Sequence, residues 1–305
     1  MEEITLQALL EAGCHFGHKS ERWHPKAAEF IYTEKDGVHI IDLAKTKAGL
    51  EAAVTFVGDL AREGKTVLFV ATKRQAQGVV KELAEKAGAS YLVERWIGGF
   101  LTNWDEIHKN IQKINRLSEE EKTGGWKKFP KHERTHLARY LSRLKIFYGG
   151  VLMLDEPPAA LFVVDIRKES AAVAEAIRRE IPIIAIVDTN ADPAGIDYVI
   201  PANDDAVGSI EYITRALARA YQEGRGKAEK EAARARPVSP AGPEKSQEQT
   251  EEHMVSSASK PSETEKAQQK GTIEEKKVVS EPKKSREAGS GSARKERAKK
   301  PVKSK

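Results

Sequence analysis

Residues 66–88 read TVLFVATKRQAQGVVKELAEKAG. The first six, TVLFVA, make a near-continuous apolar run of strand length, and KRQAQGVVKELAEKAG behind them carries apolar residues at spacings of three and four. A strand without a polar face, followed directly by an amphipathic helix, belongs to a parallel sheet covered on both sides. The alternation continues in both directions. Upstream lie VHIIDL (38–43) and AKTKAGLEAAVTFVGDLAREG. Downstream lie SYLVE (90–94), ALFVVD (160–165), KESAAVAEAIRRE, IPIIAIVD (181–188), DYVIP (197–201) and NDDAVGSIEYITRALARAYQEG. The expected fold is α/β, a doubly wound (flavodoxin/Rossmann-like) parallel sheet whose strand order the sequence leaves open.

Residues 104–148 interrupt this rhythm. Ile107, Ile111, Ile114 and Leu117 form one narrow apolar seam, and Leu137, Leu141, Leu144 and Tyr148 form another. TGGWKKFP lies between them as a turn. Two such seams predict a protruding antiparallel coiled-coil helical hairpin packed mainly on itself. The preceding segment RWIGGFLTNW (95–104) reads as its joint: Gly98 and Gly99 allow a tight reversal, and Thr102 and Asn103 offer N-caps, with Glu106 three residues after Asn103. The hairpin holds 11 Lys+Arg against 6 Asp+Glu. Lys109, Lys113, Arg116, Lys127, Lys128, Lys131, Arg134, Arg139, Arg143 and Lys145 leave the seams free, so they are candidate contacts to a phosphate backbone, the other reading being an ordinary solvated face. Trp126 and Phe129 at the turn could stack on an unpaired base or simply close the turn.

After Glu223 the composition changes. Residues 224–305 contain no Leu, Phe, Tyr or Trp, too little apolar surface to offset the entropy of ordering, and are predicted to be a disordered charged tail. The tail carries 21 Lys+Arg against 13 Asp+Glu, which leaves 30 against 33 for residues 1–223. The basic balance of the chain therefore resides in the tail, whose end suits either a polyanion or mere solubility. The expected organisation is an α/β domain from 1–103 and 149–223, an inserted hairpin over 104–148, and the tail over 224–305. The single Cys14 excludes an internal disulfide framework. The start shows no secretory signal, and no apolar run approaches the roughly 20 residues needed to span a bilayer, so the expected location is cytoplasmic, with no membrane partner.

An α/β sheet invites comparison with nucleotide enzymes. GCHFGHKS (13–20) resembles a phosphate-binding loop, but His18 stands where glycine must precede the Lys, and the segment before it is helical. No G-x-G-x-x-G joins a strand to a helix, and no G-x-S-x-G elbow occurs. Lys73 and Arg74 follow a strand at a helix N-terminus, where an anion could bind, yet without a glycine-rich turn. Cys14, His15, His18 and His24 lack the second paired half of a zinc site, and DTNADP (188–193) lacks the glycine of a calcium loop and reads as an Asx turn. The expectation is no metal, no cofactor and no catalysis. The alternative is a nucleotide-dependent α/β enzyme working at the strand ends near Lys73 and Asp188.

LLEAGCHFGH (9–18), IIDLAKT (40–46), LFVATKRQA (68–76), RWIGGFLTN (95–103), IPIIAIVDTNADP (181–193) and DYVIPANDDA (197–206) stand in the order and spacing of a known family. The chain resembles protein two of the small ribosomal subunit, in its bacterial form, over essentially residues 1–223. The resemblance implies a structural constituent of the ribosome that binds small-subunit rRNA between head and body, supports translation, touches other ribosomal proteins and helps dock protein one of the small subunit. It implies neither an enzyme nor a homo-oligomer. Two departures stand out, Ala71 and Gly208, where the family usually has Gly and often Arg. With that resemblance the hairpin cations become rRNA candidates, joined by His18, Lys19, Arg22 and Lys26 beside Trp23, by Lys73 and Arg74, and by Arg95 at the joint.

Overall fold

The computed structural model describes residues 3–235. Helix α1 (Leu6–Glu11) is capped by Thr5, whose hydroxyl accepts from Ala8 N–H. Strands β1 (Phe16–Lys19), β2 (Ile31–Lys35) and β3 (Val38–Ile41) then form a small antiparallel sheet in the order β1-β3-β2. VHIIDL is thus a strand, but it does not belong to the parallel sheet as expected. Asp36 and Gly37, at φ 54° and 75°, make a two-residue turn of the kind that folds a strand straight back on its predecessor.

The rest of the chain is α2 (Leu43–Arg62), β4 (Val67–Val70), α3 (Arg74–Ala87), β5 (Ser90–Leu92), α4 (Trp104–Lys122), α5 (Lys131–Tyr148), β6 (Ala160–Val164), α6 (Ser170–Arg178), β7 (Ile183–Val187), β8 (Tyr198–Pro201) and α7 (Val207–Ala235). All five later strands are parallel, in the order β5-β4-β6-β7-β8. Counted from β4 this is the 2-1-3-4-5 order of flavodoxin-like sheets.

Side chains alternate across that sheet. Val67, Phe69, Phe162, Ile184 and Ile186 join a core with Leu50 and Val57 of α2, Val80 of α3 and Ile213 and Leu217 of α7. Leu68, Val70, Leu161, Val163, Ile183 and Ala185 join a second core with Ala172 and Ala176 of α6 and with Phe100, Trp104, Ile107 and Ile111. The seam of α4 belongs to the same buried cluster as this sheet face, and along its length it packs against α5 and the turn between the two helices. Tyr148 bonds Asn110, Lys113 bonds Tyr140 at 3.1 Å, and Lys145 pairs with Glu121 at 3.5 Å, so α5 runs back alongside α4. On α5 Leu141 and Tyr148 are buried, while Leu137 and Leu144 are partly covered.

The boundary at 224 moves. Helix α7 runs through Gly224 to Ala235, because Gly224 is a packing residue: a Cβ there would stand 2.5 Å from the Gly58 carbonyl of α2. Gly224 permits a close helix crossing. The remainder of the expected tail, 236–305, lies outside the described residues, and no described helix is long and apolar enough to cross a membrane.

Candidate nucleic-acid interface

The hairpin cations divide into two groups. Lys109 pairs with Glu106, Arg116 with Glu120 and Lys145 with Glu121, while Lys113 lies over the Tyr140 ring. Lys127, Lys128, Lys131, Arg134, Arg139 and Arg143 are exposed and have no ion-pair partner among the described residues; Lys128 rests over Phe129. The second group occupies the turn, the first helical turn of α5 and, with Arg139 and Arg143, the outer side of α5, whose inner side carries Leu141 and Tyr148. Trp126 is not available for stacking. It is buried beneath the turn with its indole N–H unpartnered, so of the aromatic pair only Phe129 is partly open.

The joint is built differently from the expectation. Gly99, at φ 83°, provides the reversal, whereas Gly98 does not enter the left-handed region. Asn103 occupies the N-cap position of α4 but its side chain makes no capping bond. The segment is held instead by Glu175 of α6. One carboxylate oxygen accepts from Trp96 Nε1 at 2.9 Å and Gly99 N–H at 2.8 Å; the other accepts from Leu101 N–H at 3.0 Å and from Thr102 N–H and hydroxyl at 3.2 Å each. Burial pushes the Glu175 pKa up, but the bonds from Trp96, Gly99, Leu101 and Thr102 outweigh it and hold the carboxyl below its ordinary value. Arg179, one turn along α6, donates to the Leu101 carbonyl at 2.8 Å. Arg95 is exposed with its guanidinium over the Phe147 ring.

At the carboxyl ends of the parallel strands the charge is of the other sign. Lys73, only 13% exposed, meets Asp205 at 2.6 Å, Asp204 at 2.8 Å and Asp165 at 3.2 Å. Burial opposes its charge, but hydrogen bonds to Asp204 and Asp205 raise its pKa above the usual lysine value. Asp204 is driven up to about 6 by burial and by the neighbouring Asp188. His18 is raised by its bond to Asp188 at 3.0 Å and reaches Asp205 on its other side at 3.4 Å. Lys73 and His18 are thus neutralised within the chain, which removes both from the outward-facing candidates. The N–H of Thr72, just before α3, is occupied by Glu169, which also takes the Thr72 hydroxyl. A nucleotide phosphate at this mouth would face Asp165, Asp188, Asp204 and Asp205, so the enzyme alternative loses its electrostatic basis.

Of the other candidates, Lys19, Arg22 and Arg74 are exposed without an ion-pair partner among the described residues, and Lys26 is tied to Asp192 at 2.9 Å. Trp23 is 44% exposed and sits edge-on to His39. Asp192 accepts from Ala194 N–H, the Asx turn expected of DTNADP. Cys14 is buried in the core, where burial raises its thiol pKa. His18, Asp188 and Asp204 offer ligand atoms within 4.8 Å of one another, a grouping a small cation could bridge, but Lys73 and His18 already serve these carboxylates. Gly208 stands where a Cβ would lie 2.9 Å from the Ala12 carbonyl, so the absence of a longer residue there fits the contact with α1.

The family profile described as Ribosomal protein S2 matches residues 9–224. The chain belongs to the ribosomal protein S2 family. A curated relative from Coprothermobacter proteolyticus (strain ATCC 35245 / DSM 5265 / OCM 4 / BT), Small ribosomal subunit protein uS2, is 51% identical over 225 residues, covering 74% of this chain and 84% of the relative. Members of the S2 family are structural, non-enzymatic ribosome components, in agreement with a strand-end mouth filled by the chain's own charges.

Two parts of this arrangement escape the sequence reading. The charge network joins Lys73 to partners 92 to 132 positions away, and no local pattern announces it. The role of Glu175 is equally silent, because it lies in an ordinary amphipathic helix. The small sheet did leave a signal, the Asp36-Gly37 pair.

Proposed function

We propose that this chain is a structural constituent of the small ribosomal subunit that binds rRNA through the turn and outer side of its helical pair. The supporting observation is the group Lys127, Lys128, Lys131, Arg134, Arg139 and Arg143, exposed and without an ion-pair partner among the described residues of a member of the S2 family. Cations without internal carboxylates are the ones free to displace counterions from phosphates, and the spacing along a helix suits the backbone of a folded RNA rather than base edges. Lys19, Arg22, Arg74 and Arg95 form weaker secondary contacts. In this reading the helical pair is a coiled-coil rod, the chain sits between head and body of a cytoplasmic ribosome, and it carries part of the docking surface for protein one of the small subunit. The test is binding of the full chain to a small-subunit rRNA fragment across a salt series. Charge reversal at Arg134, Arg139 and Arg143 should weaken binding and flatten the slope by about one per lost phosphate contact. Unchanged affinity and slope would refute the assignment.

A further inference from the structure

The segment 96–102 has the form of an anion-binding cradle: a left-handed glycine, three converging backbone N–H groups, an indole N–H and a hydroxyl, all directed at one carboxylate. The occupant is supplied by the chain itself. Each Glu175 oxygen accepts at least two bonds, and Arg179 holds the Leu101 carbonyl, so α6 grips both the donors and an acceptor of the same loop. Immediately beyond, α4 begins without a side-chain cap. We propose that Glu175 is a built-in anion that fixes the direction in which the α4–α5 pair leaves the sheet, positioning its cations before RNA arrives.

Helix α4 has 19 residues and so extends about 28 Å, which turns a 10° change at its root into a displacement of about 5 Å at its tip. Phosphate contacts tolerate far less than that, so an ordered root matters to any ligand of the distal cations. Hydrophobic packing contributes through the ring series Trp96, Phe100 and Trp104, with centroids 5.3 and 5.6 Å apart. Packing alone leaves the converging N–H groups of Gly99, Leu101 and Thr102 unsatisfied, and only an acceptor with two charged oxygens meets all of them. A glutamine offers a single acceptor oxygen and turns an NH2 group toward donors. The contribution of Glu175 to RNA affinity depends on the rRNA reading above; its effect on the loop does not.

Amide hydrogen exchange on the full-length protein tests this, with a β6 peptide as the control for global unfolding. In Glu175→Ala the amides of Gly99, Leu101 and Thr102 should exchange at least about tenfold faster while β6 stays protected. Formate should restore part of that protection, and chloride at the same ionic strength should not, because the cradle needs a carboxylate. Glu175→Gln should loosen the same amides without rescue, which keeps the test open if the alanine variant folds poorly. Affinity for the rRNA fragment should fall about three- to tenfold at an unchanged salt slope, since every phosphate-contacting cation remains. Native exchange at 99–102 in both variants, or loosening in Glu175→Ala that formate does not reverse, would overturn the proposal. Native affinity with a loosened loop would overturn its link to RNA. Failure of the rRNA reading shows elsewhere, in an Arg134, Arg139 and Arg143 reversal that leaves binding intact.

Discussion

At the mouth of the sheet Lys73 touches three carboxylates within 3.2 Å, whereas on α5 Arg134, Arg139 and Arg143 are exposed without one among the described residues. Both regions attract the eye as positive sequence, and both sit where an α/β protein could meet a phosphate. The difference lies in who neutralises the charge. Lys73 is consumed by the fold: it offsets the repulsion among aspartates gathered at the strand ends. Among the described residues the α5 arginines have no carboxylate to neutralise them, which leaves their charge for a partner. A cation is evidence for a polyanion only after its own chain has declined it.

The largest expected effect breaks the first half of that contrast. Replacing Lys73 by Met leaves Asp204, 2% exposed, and its neighbours without their cation, and should cost about 3–5 kcal/mol in urea unfolding. An unchanged midpoint would mean that the aspartates do not need Lys73. Next comes the second half. The triple reversal of Arg134, Arg139 and Arg143 to Glu should lower rRNA affinity about 100-fold, equivalent to about 2.7 kcal/mol, while leaving the unfolding midpoint nearly unmoved. Loss of stability in place of affinity would make these residues structural.

The pH dependence sharpens the comparison further. Asp204 has a folded pKa raised to about 6, above its unfolded value, so the folded state holds the extra proton and its stabilisation is lost as pH rises from about 4 through 6. His18, also raised, loses its contribution at higher pH still. Glu175 runs the other way: its lowered pKa contributes stability above about pH 4 that disappears on acidification. Stability should therefore fall by about 2 kcal/mol between pH 5 and 7.5, and Asp204→Asn should flatten the lower part of that slope. A slope unaltered by Asp204→Asn would place the titration elsewhere. The smallest effect belongs to the exposed Lys26–Asp192 pair: Lys26→Ala should change stability by less than about 0.5 kcal/mol, and a larger loss in the same urea assay would show that surface pairing matters more than its exposure suggests.

What the sequence conveyed and what it withheld follow from range. Runs such as TVLFVA and IPIIAIVD announce buried strands because a doubly covered strand has no polar face, and β4 and β7 lie there. Helices α2, α3 and α7 are legible from spacing alone for the same local reason. VHIIDL misled because a short apolar strand looks the same in a parallel sheet and in an antiparallel one; only the Asp36-Gly37 turn distinguishes them. The boundary at 224 misled because a stretch without large apolar residues can still continue a helix, as α7 does to Ala235. At the site, residue types identified the cations but not their partners. Lys73 with Asp165, Asp204 and Asp205, and Glu175 with the segment 96–102, are pairings made by tertiary structure across 70 or more positions.

The central claim is that the outer side of α5, and not the strand-end mouth, meets RNA. A photo-crosslinking residue placed at Arg139 in one variant and at the half-exposed Asp205 in another, each incorporated into small subunits, tests it directly. Crosslinks to rRNA from position 139, with few or none from 205, are the expected result. Crosslinks from 205 with none from 139 would contradict the account.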